Sequence, residues 1–296
     1  MPCMYRGRIA PTPTGLLHLG HGRTFYHAWL RARNAGGAII YRNEDLDPQR
    51  CKPEFAHAAM EDLRWLGLDW DEGPDVGGDF EPYDQSARGD HYLAAWRNLR
   101  DGGWIYPCQR SRKDIARATV APHAEDELSE PLFPVDWRNP VKDALDYGTP
   151  DGINWRFRVP DGITLRFSDA FAGEQSFTAL LDFGDFLVWR RDNVPAYELA
   201  VVVDDAAMAI TEVVRGEDLL LSTARQLLLY AALRLPAPSF CHLPLLCDEN
   251  GRRLAKRNHA TALKTLREQS IQPAELAIHW QSLKQACRIH LKSTNN

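Results

Sequence analysis

No run of apolar residues in this chain approaches the ~20 that a membrane helix needs, so a membrane span is not expected. The six cysteines, Cys3, Cys51, Cys108, Cys241, Cys247 and Cys287, include no C-x-x-C or C-x-C pair. That argues against a disulfide frame or a closed zinc site, and for free thiols in a reducing compartment. Positive charge is not in excess either. Lysine and arginine number 35 against 40 aspartates and glutamates, a formal net charge of −5, so no bulk field recruits nucleic acid and any RNA contact falls to local patches. Three short patches occur: Arg110, Arg112, Lys113 and Arg117; Arg190 with Arg191; and Arg252, Arg253, Lys256 and Arg257. Taken alone, each reads more readily as a solvated face than as a binding surface. No basic-then-apolar leader precedes the first strand-like residues, so the expected location is cytoplasmic. Internal repeats and low-complexity tracts are also missing.

What the chain does have is an alternation of short β-like runs and longer helical ones, the pattern of a parallel sheet covered on both faces. Its 296 residues, 44% hydrophobic and 25% charged, suffice for one large or two modest domains with a substantial core. Tyr5 to Ala10 reads as strand, Pro11 to Gly15 as loop, and Leu19 to Asn34 as a helix ended by Gly36 and Gly37. Ala38 to Arg42 is a second strand. Pro53 suits the first turn of a helix whose Phe55, Ala59, Leu63 and Leu66 recur at helical spacing. Another helix carries Tyr92, Leu93, Trp96 and Leu99. From Trp104 to Arg191 the texture changes to a basic stretch, a proline-broken run from Ala121 to Pro140, and an expected hairpin. In that hairpin Ile153 to Val159 and Ile163 to Phe167 flank Pro160, Asp161 and Gly162. The α/β rhythm returns with Ile210 to Arg215 as strand, Asp218 to Leu233 as helix and Leu243 to Cys247 as strand, and the last forty residues read as helices, the final one opened by Pro273. Four parts follow: 1–103 and 192–257 as halves of one doubly wound α/β domain, 104–191 as an inserted α+β subdomain, and 258–296 as a C-terminal helical segment.

The richest stretch for chemistry is Pro11-Thr-Pro-Thr-Gly-Leu-Leu-His-Leu-Gly-His, ending at His21. It joins a strand to a helix, where α/β sheets bind ligands. His18 and His21 both fall in the first helical turn and can face a triphosphate, helped by helix-end amides, and Gly20 lets adenine or ribose approach the backbone. The plain alternative is a pair of surface histidines.

From Arg8 onward this stretch resembles the "HIGH" region of class I aminoacyl-tRNA synthetases of the glutamate branch. Two further blocks resemble the same family in the same order: Val213-Val-Arg-Gly-Glu-Asp-Leu-Leu-Leu-Ser-Thr-Ala-Arg-Gln with the later His242-Leu-Pro-Leu, and Arg253-Leu-Ala-Lys-Arg, which stands at the "KMSKS" loop. The resemblance implies a Rossmann-type doubly wound fold, ATP with Mg²⁺, and activation of L-glutamate to glutamyl-adenylate. It implies ATP contacts at His18, Gly20, His21, Arg253 and Lys256, with His18, His21 and Lys256 catalytic. It places glutamate along Arg8, Ile9, Ala10, Pro11 and Thr12 and against Glu44, Tyr197 and Arg215. The chemistry suits these types: an acid for the α-ammonium, arginine forks and a phenol for the side-chain carboxylate. Read from residues alone, Glu44 is equally a solvated loop acid, Arg215 a strand-end surface arginine, Tyr197 a half-buried core tyrosine, and Lys256 a solvated lysine.

Within the branch, length and the segment Pro195-Ala-Tyr-Glu-Leu-Ala-Val-Val-Val-Asp-Asp look most like its short members, which act without an anticodon-binding domain. Those activate glutamate without tRNA and place it on the queuosine base in the anticodon of tRNA(Asp), which would make queuosine-bearing tRNA(Asp) the partner of a monomeric enzyme. Two departures stand out. Ala255 replaces the usual serine of the loop and Arg253 its first lysine. Relatives also hold zinc in the insertion, whereas Cys108, Arg110, Phe133 and Trp137 stand at those positions here. One thiol cannot make a tetrahedral site, so packing by Phe133 and Trp137 is expected instead of zinc. Two alternatives stand beside this reading: a glutamyl-tRNA synthetase lacking its anticodon domain and, motivated by these departures, a non-catalytic tRNA-binding paralogue.

Overall fold

The computed structural model describes residues 4–111, 114–115, 132–246 and 262–281. Strand β1 (Arg6–Ile9) pairs in parallel with β2 (Ala38–Tyr41), in the register Arg6 to Ala38 through Ile9 to Tyr41. Helix α1 (Leu19–Asn34) makes the crossover. Its exit turn needs glycine, because a Cβ on Gly37 would lie 2.3 Å from the Tyr5 carbonyl oxygen. The Ala38 amide then donates to that same oxygen at 2.9 Å. Beyond β2 the chain passes through α2 (Pro53–Trp65), opened by its proline, and returns beside the sheet, where the Asp71 amide donates to Ile39 O and the Tyr41 amide to Glu72 O.

Helix α3 (Gly89–Asp101) leads into an antiparallel sheet of β3 (Ile105–Cys108), β4 (Asn154–Phe157) and β7 (Phe186–Trp189), with β4 central. The hairpin expected around Pro160, Asp161 and Gly162 does not form. Both edges of β4 are taken, by β3 and β7, and Trp155 and Phe157 are wholly buried in the core, so no edge is left for β5. β5 (Thr164–Asp169) turns back instead into β6 (Gly173–Thr178), in register from Thr164–Thr178 to Asp169–Gly173. Asp169 shapes that turn, its Oδ1 accepting from the amides of Phe171 at 3.0 Å and Ala172 at 2.8 Å.

The second half resumes with α4 (Tyr197–Ala207), β8 (Glu212–Gly216), α5 (Leu220–Leu233) and β9 (Ser239–Leu243). β9 starts upstream of the strand expected over Leu243 to Cys247, because Pro244 has no amide to donate and ends the ladder. β8 and β9 are parallel, and β5 joins the outer edge of β9 through Asp169 and Phe240. On its other side β8 runs beside β1: the Thr211 amide donates to Arg6 O at 2.9 Å and Arg8 Nη1 reaches Val214 O at 3.5 Å. The order β9, β8, β1, β2 makes β1 and β8 the inner pair from which the chain winds outward both ways. Ligands of such sheets bind at that switch point, beyond the carboxyl ends of the strands. The C-terminal helices α6 (Leu263–Glu268) and α7 (Pro273–Gln281) close over α1, with Leu263 and Trp280 against Gly22. No helix among the described residues is long and apolar enough to cross a membrane.

Candidate active site

At the start of α1, His18 is the N-cap: its Nδ1 accepts from the Gly20 amide at 3.1 Å, and His21 Nδ1 accepts from the His18 amide at 3.4 Å. Two imidazoles thus fill the reciprocal roles usually held by serine and glutamate in a capping box. Their rings stack with centroids 3.7 Å apart. With both Nδ1 atoms accepting, each neutral ring carries its proton on Nε2, a donor suited to a phosphate oxygen. A Cβ on Gly20 would approach His18 Cε1 to 2.9 Å, so this glycine makes room for the histidine as well as for a ligand. The loop is fastened from the far end of the chain, since Leu263 N donates to Leu17 O at 2.8 Å and His18 bridges Ala262.

The switch point opens into a cavity of about 480 Å³, within the range of small-molecule sites. Its lining gathers His18, Gly20 and His21 from the helix start, Arg8, Ala10, Pro11 and Thr12 from the end of β1, Glu44 after β2, Tyr197 at the head of α4 and Arg215 on β8. Ile9 stands apart. Its side chain is fully buried in the core and its carbonyl accepts the Arg42 amide, so it faces no ligand. Arg253 and Lys256 lie outside the described residues.

Arg215 is not the surface arginine its strand-end position allows; it is 4% exposed. Its Nη2 donates to Thr223 Oγ1 at 2.6 Å, its Nε to His242 Nε2 at 3.0 Å, and Nη1 reaches the Tyr197 hydroxyl at 3.5 Å. Glu44 is equally far from a solvated acid: its Oε1 accepts from Arg42 Nη2 at 3.0 Å and its amide donates to Pro11 O. Burial pushes its carboxyl up, against the pull of Arg42 and Arg8.

Behind these residues lies a charge network that the sequence did not announce. Arg42, wholly buried, donates from Nη1 to Asp205 Oδ1 at 2.7 Å, and Arg8 Nε stands 3.4 Å from the same oxygen. Next to it, Asp204 accepts from Arg88 Nε at 2.6 Å, Gln85 Nε2 at 2.7 Å and the Tyr92 hydroxyl at 2.9 Å. The signal was the acid pair closing Leu199 to Val203, since two carboxylates at the end of an apolar helix need buried cations. Helix periodicity cannot say which arginines supply them.

The zinc-type positions hold a different cluster. The Arg110 guanidinium lies 4.6 Å from the Trp137 ring centroid, Trp137 meets Phe133 edge to face at 6.1 Å, and Arg156 covers Phe133 at 4.4 Å. Among the described residues no three histidine, cysteine or acidic side chains gather as metal ligands. A second cavity, about 510 Å³, adjoins the first through shared Thr12, Glu44 and Tyr197 and runs between Arg156, Arg190, Arg225 and Glu198.

The family described as tRNA synthetases class I (E and Q), catalytic domain, matches residues 4–279. The chain belongs to this family. It is 46% identical to a glutamyl-Q tRNA(Asp) synthetase of Nitratidesulfovibrio vulgaris, over 92% of this chain and 84% of that one. Identity to the glutamyl-Q tRNA(Asp) synthetase of Symbiobacterium thermophilum is 48%, over 93% and 85%. Among solved structures it is similar to the glutamate-tRNA synthetase of Elizabethkingia anophelis, with a TM-score of 0.75 and 33% identity over 86% of this chain and 53% of that one. The fold is thus the Rossmann-type one of class I synthetases, and the chain is a ligase.

Two buried histidines give this synthetase an acid-sensitive interior. Burial lowers His27 to about 4, with Arg23 adding to the effect, and lowers His242 to about 4, with Arg215 adding. The unfolded chain therefore takes up protons between pH 6.5 and 4 that the folded chain refuses, and each histidine removes stability as pH falls through that window. Replacing His27 by glutamine is expected to flatten the dependence of unfolding free energy on pH there, by about 1.4 kcal/mol per unit. Denaturant titrations at about pH 6.5 and about pH 5 measure it, and parallel slopes for the two proteins would refute the assignment.

Proposed function

We propose that the chain activates L-glutamate with ATP, without tRNA, and transfers the glutamyl group to the queuosine base of tRNA(Asp). The observation that carries this is the single cavity in which the histidine pair of α1 meets Arg8, Glu44, Tyr197 and Arg215. In this reading Arg215 and the Tyr197 hydroxyl hold the side-chain carboxylate of glutamate, and Glu44 holds its ammonium. Glutamine, an amide, would leave a buried guanidinium donor unpaired and is rejected on that account. The α-carboxylate, already a nucleophile at neutral pH, attacks the α-phosphorus of ATP. A bond forms from a carboxylate oxygen to phosphorus, the α–β phosphoanhydride breaks, and pyrophosphate leaves; Mg²⁺, when bound with ATP, would supply further charge neutralisation. The Nε2–H groups of His18 and His21 and the ammonium of Lys256 offset the growing charge on the phosphates, so catalysis is chiefly positioning and electrostatics. No structural zinc takes part, a reading supported by Arg110 lying over Trp137 where a metal would need ligands.

Queuosine as acceptor is supported by the two relatives named glutamyl-Q tRNA(Asp) synthetase, 46% and 48% identical to this chain. The second cavity, opening beside Glu44 and Tyr197 and rimmed by arginines, offers the acceptor base its approach. The deciding measurement is ATP–pyrophosphate exchange with glutamate in the absence of RNA. Exchange is expected, and its absence at saturating ATP and glutamate sinks the activation step. Label from glutamate should then reach queuosine-bearing tRNA(Asp); label found only on a 3′ adenosine refutes the acceptor.

A further inference from the structure

Arg215 does not stand alone. Its Nε–H, which can only donate, points at His242 Nε2 at 3.0 Å, and the Thr223 hydroxyl, able to donate or accept, stands 3.0 Å from the same nitrogen, so the arginine calls for a lone pair there. The imidazole proton is thereby placed on Nδ1, and Nδ1 lies 2.6 Å from Asp169 Oδ2. The same carboxylate accepts from the backbone amides of His242, Phe171 and Ala172. Burial alone would raise the Asp169 carboxyl, but these amide and imidazole donors together hold it below its ordinary range, so it stays an anion. His242 has 0% exposure and Asp169 4%. Both partners are thus locked in place before any substrate arrives. Asp169 ends β5, in the insertion between the two halves of the α/β domain, whereas Arg215 belongs to β8.

We infer that Asp169 and His242 are positioning residues for glutamate: the aspartate fixes the imidazole as its Nδ1–H tautomer, and the imidazole Nε2 fixes the Arg215 fork. The inference rests on the proposed role of Arg215 as the carboxylate ligand. The β5–β6 hairpin of the insertion, on this view, is a strut of the amino-acid site.

Replacing Asp169 by asparagine tests it. The introduced amide can still accept backbone hydrogens through its oxygen, but its NH₂ faces His242 Nδ1 as a donor. The ring proton then moves to Nε2 and confronts the Arg215 Nε–H, and the fork turns away. The expected result in the exchange assay is a KM for glutamate raised about 10- to 100-fold, the usual scale for losing a group that orients a ligand, with the KM for ATP unchanged. Changes at His242 test the acceptor itself. His242→Ala leaves the Arg215 Nε–H without its acceptor and should raise the glutamate KM as Asp169→Asn does, whereas His242→Gln, whose NH₂ can donate to Asp169 while its oxygen accepts from Arg215, restores most of the affinity lost in His242→Ala.

The ring nitrogens of His242 can also be read by ¹⁵N NMR on the ligand-free protein, expected to show a bare Nε2 and a protonated Nδ1. A protonated Nε2 in the parent overturns the inference. So does an unchanged glutamate KM in Asp169→Asn, or an ATP KM that rises in step, which marks a merely structural role. Parent protein that binds no glutamate would remove the proposed function and with it the positioning role, whereas the nitrogen shifts judge the tautomer separately from that function.

Discussion

Replacing Arg215 by alanine is expected to lower kcat/KM for glutamate in the exchange reaction by about 10³-fold, and by lysine about 10²-fold. The alanine figure corresponds to the roughly 3–5 kcal/mol lost when one partner of a buried charged pair is removed. Lysine keeps the charge but presents a single ammonium, which cannot meet Thr223, His242 and Tyr197 and still reach a carboxylate. The KM for ATP should hardly move, because the histidine pair proposed for the phosphates belongs to the start of α1 and not to β8. Exchange kinetics at varied glutamate provide the measurement. An alanine variant within about tenfold of the parent would remove Arg215 from the site.

The largest effect on stability is expected at Asp205. Asp205→Ala takes away the carboxylate that Arg42 contacts at 2.7 Å and Arg8 at 3.4 Å; Arg42 keeps Glu44 at 3.0 Å, but the two buried guanidinium groups lose the acid that they share. A cost of about 3–5 kcal/mol is expected in denaturant unfolding. Part of it should return in Asp205→Ala/Arg42→Met, where the buried cation goes too. If the double variant is no more stable than the single, the penalty lies in lost packing and not in an uncompensated charge. Glutamate binding should suffer in both variants through Arg8.

How far the chain could be read beforehand differs from residue to residue. The α/β rhythm and the placing of His18 and His21 followed from strand-to-helix spacing, a local signal, whereas the gathering of Arg8, Glu44, Tyr197 and Arg215 was implied by the resemblance to a known family. The pairing of β5 did not. A proline-glycine turn after a short apolar run predicts a hairpin, yet the wholly buried Trp155 and Phe157 assign that run to another sheet. Burial of Trp155 and Phe157 on one face and of Arg156 on the other is a property of the neighbours, which the run itself does not reveal. The partners of Arg42 and Arg215 were hidden for the same reason. Asp205 and His242 stand 163 and 27 residues away from them in the chain, and no periodicity connects positions so placed. Ile9 was drawn into the site by its place within a motif, although the alternation of β1 turns it into the core.

The distance along the chain between Arg42 and Asp205 also sets an order of events during synthesis. A ribosome delivers Arg8 and Arg42 with the first two strands and makes their acid 163 residues after Arg42. Until then Arg42 has Glu44 but not the acid that it shares with Arg8, so the strand ends destined for the ligand emerge one negative charge short of what burying both cations requires. Once Asp205 and then Arg215 leave the tunnel, the halves can seal, and the pocket and the hydrophobic interior become available in the same step. A nascent chain interrupted before that point would be an unfinished fold, recognisable to chaperones by exposed sheet, and unable to sequester glutamate or ATP in a half-built site.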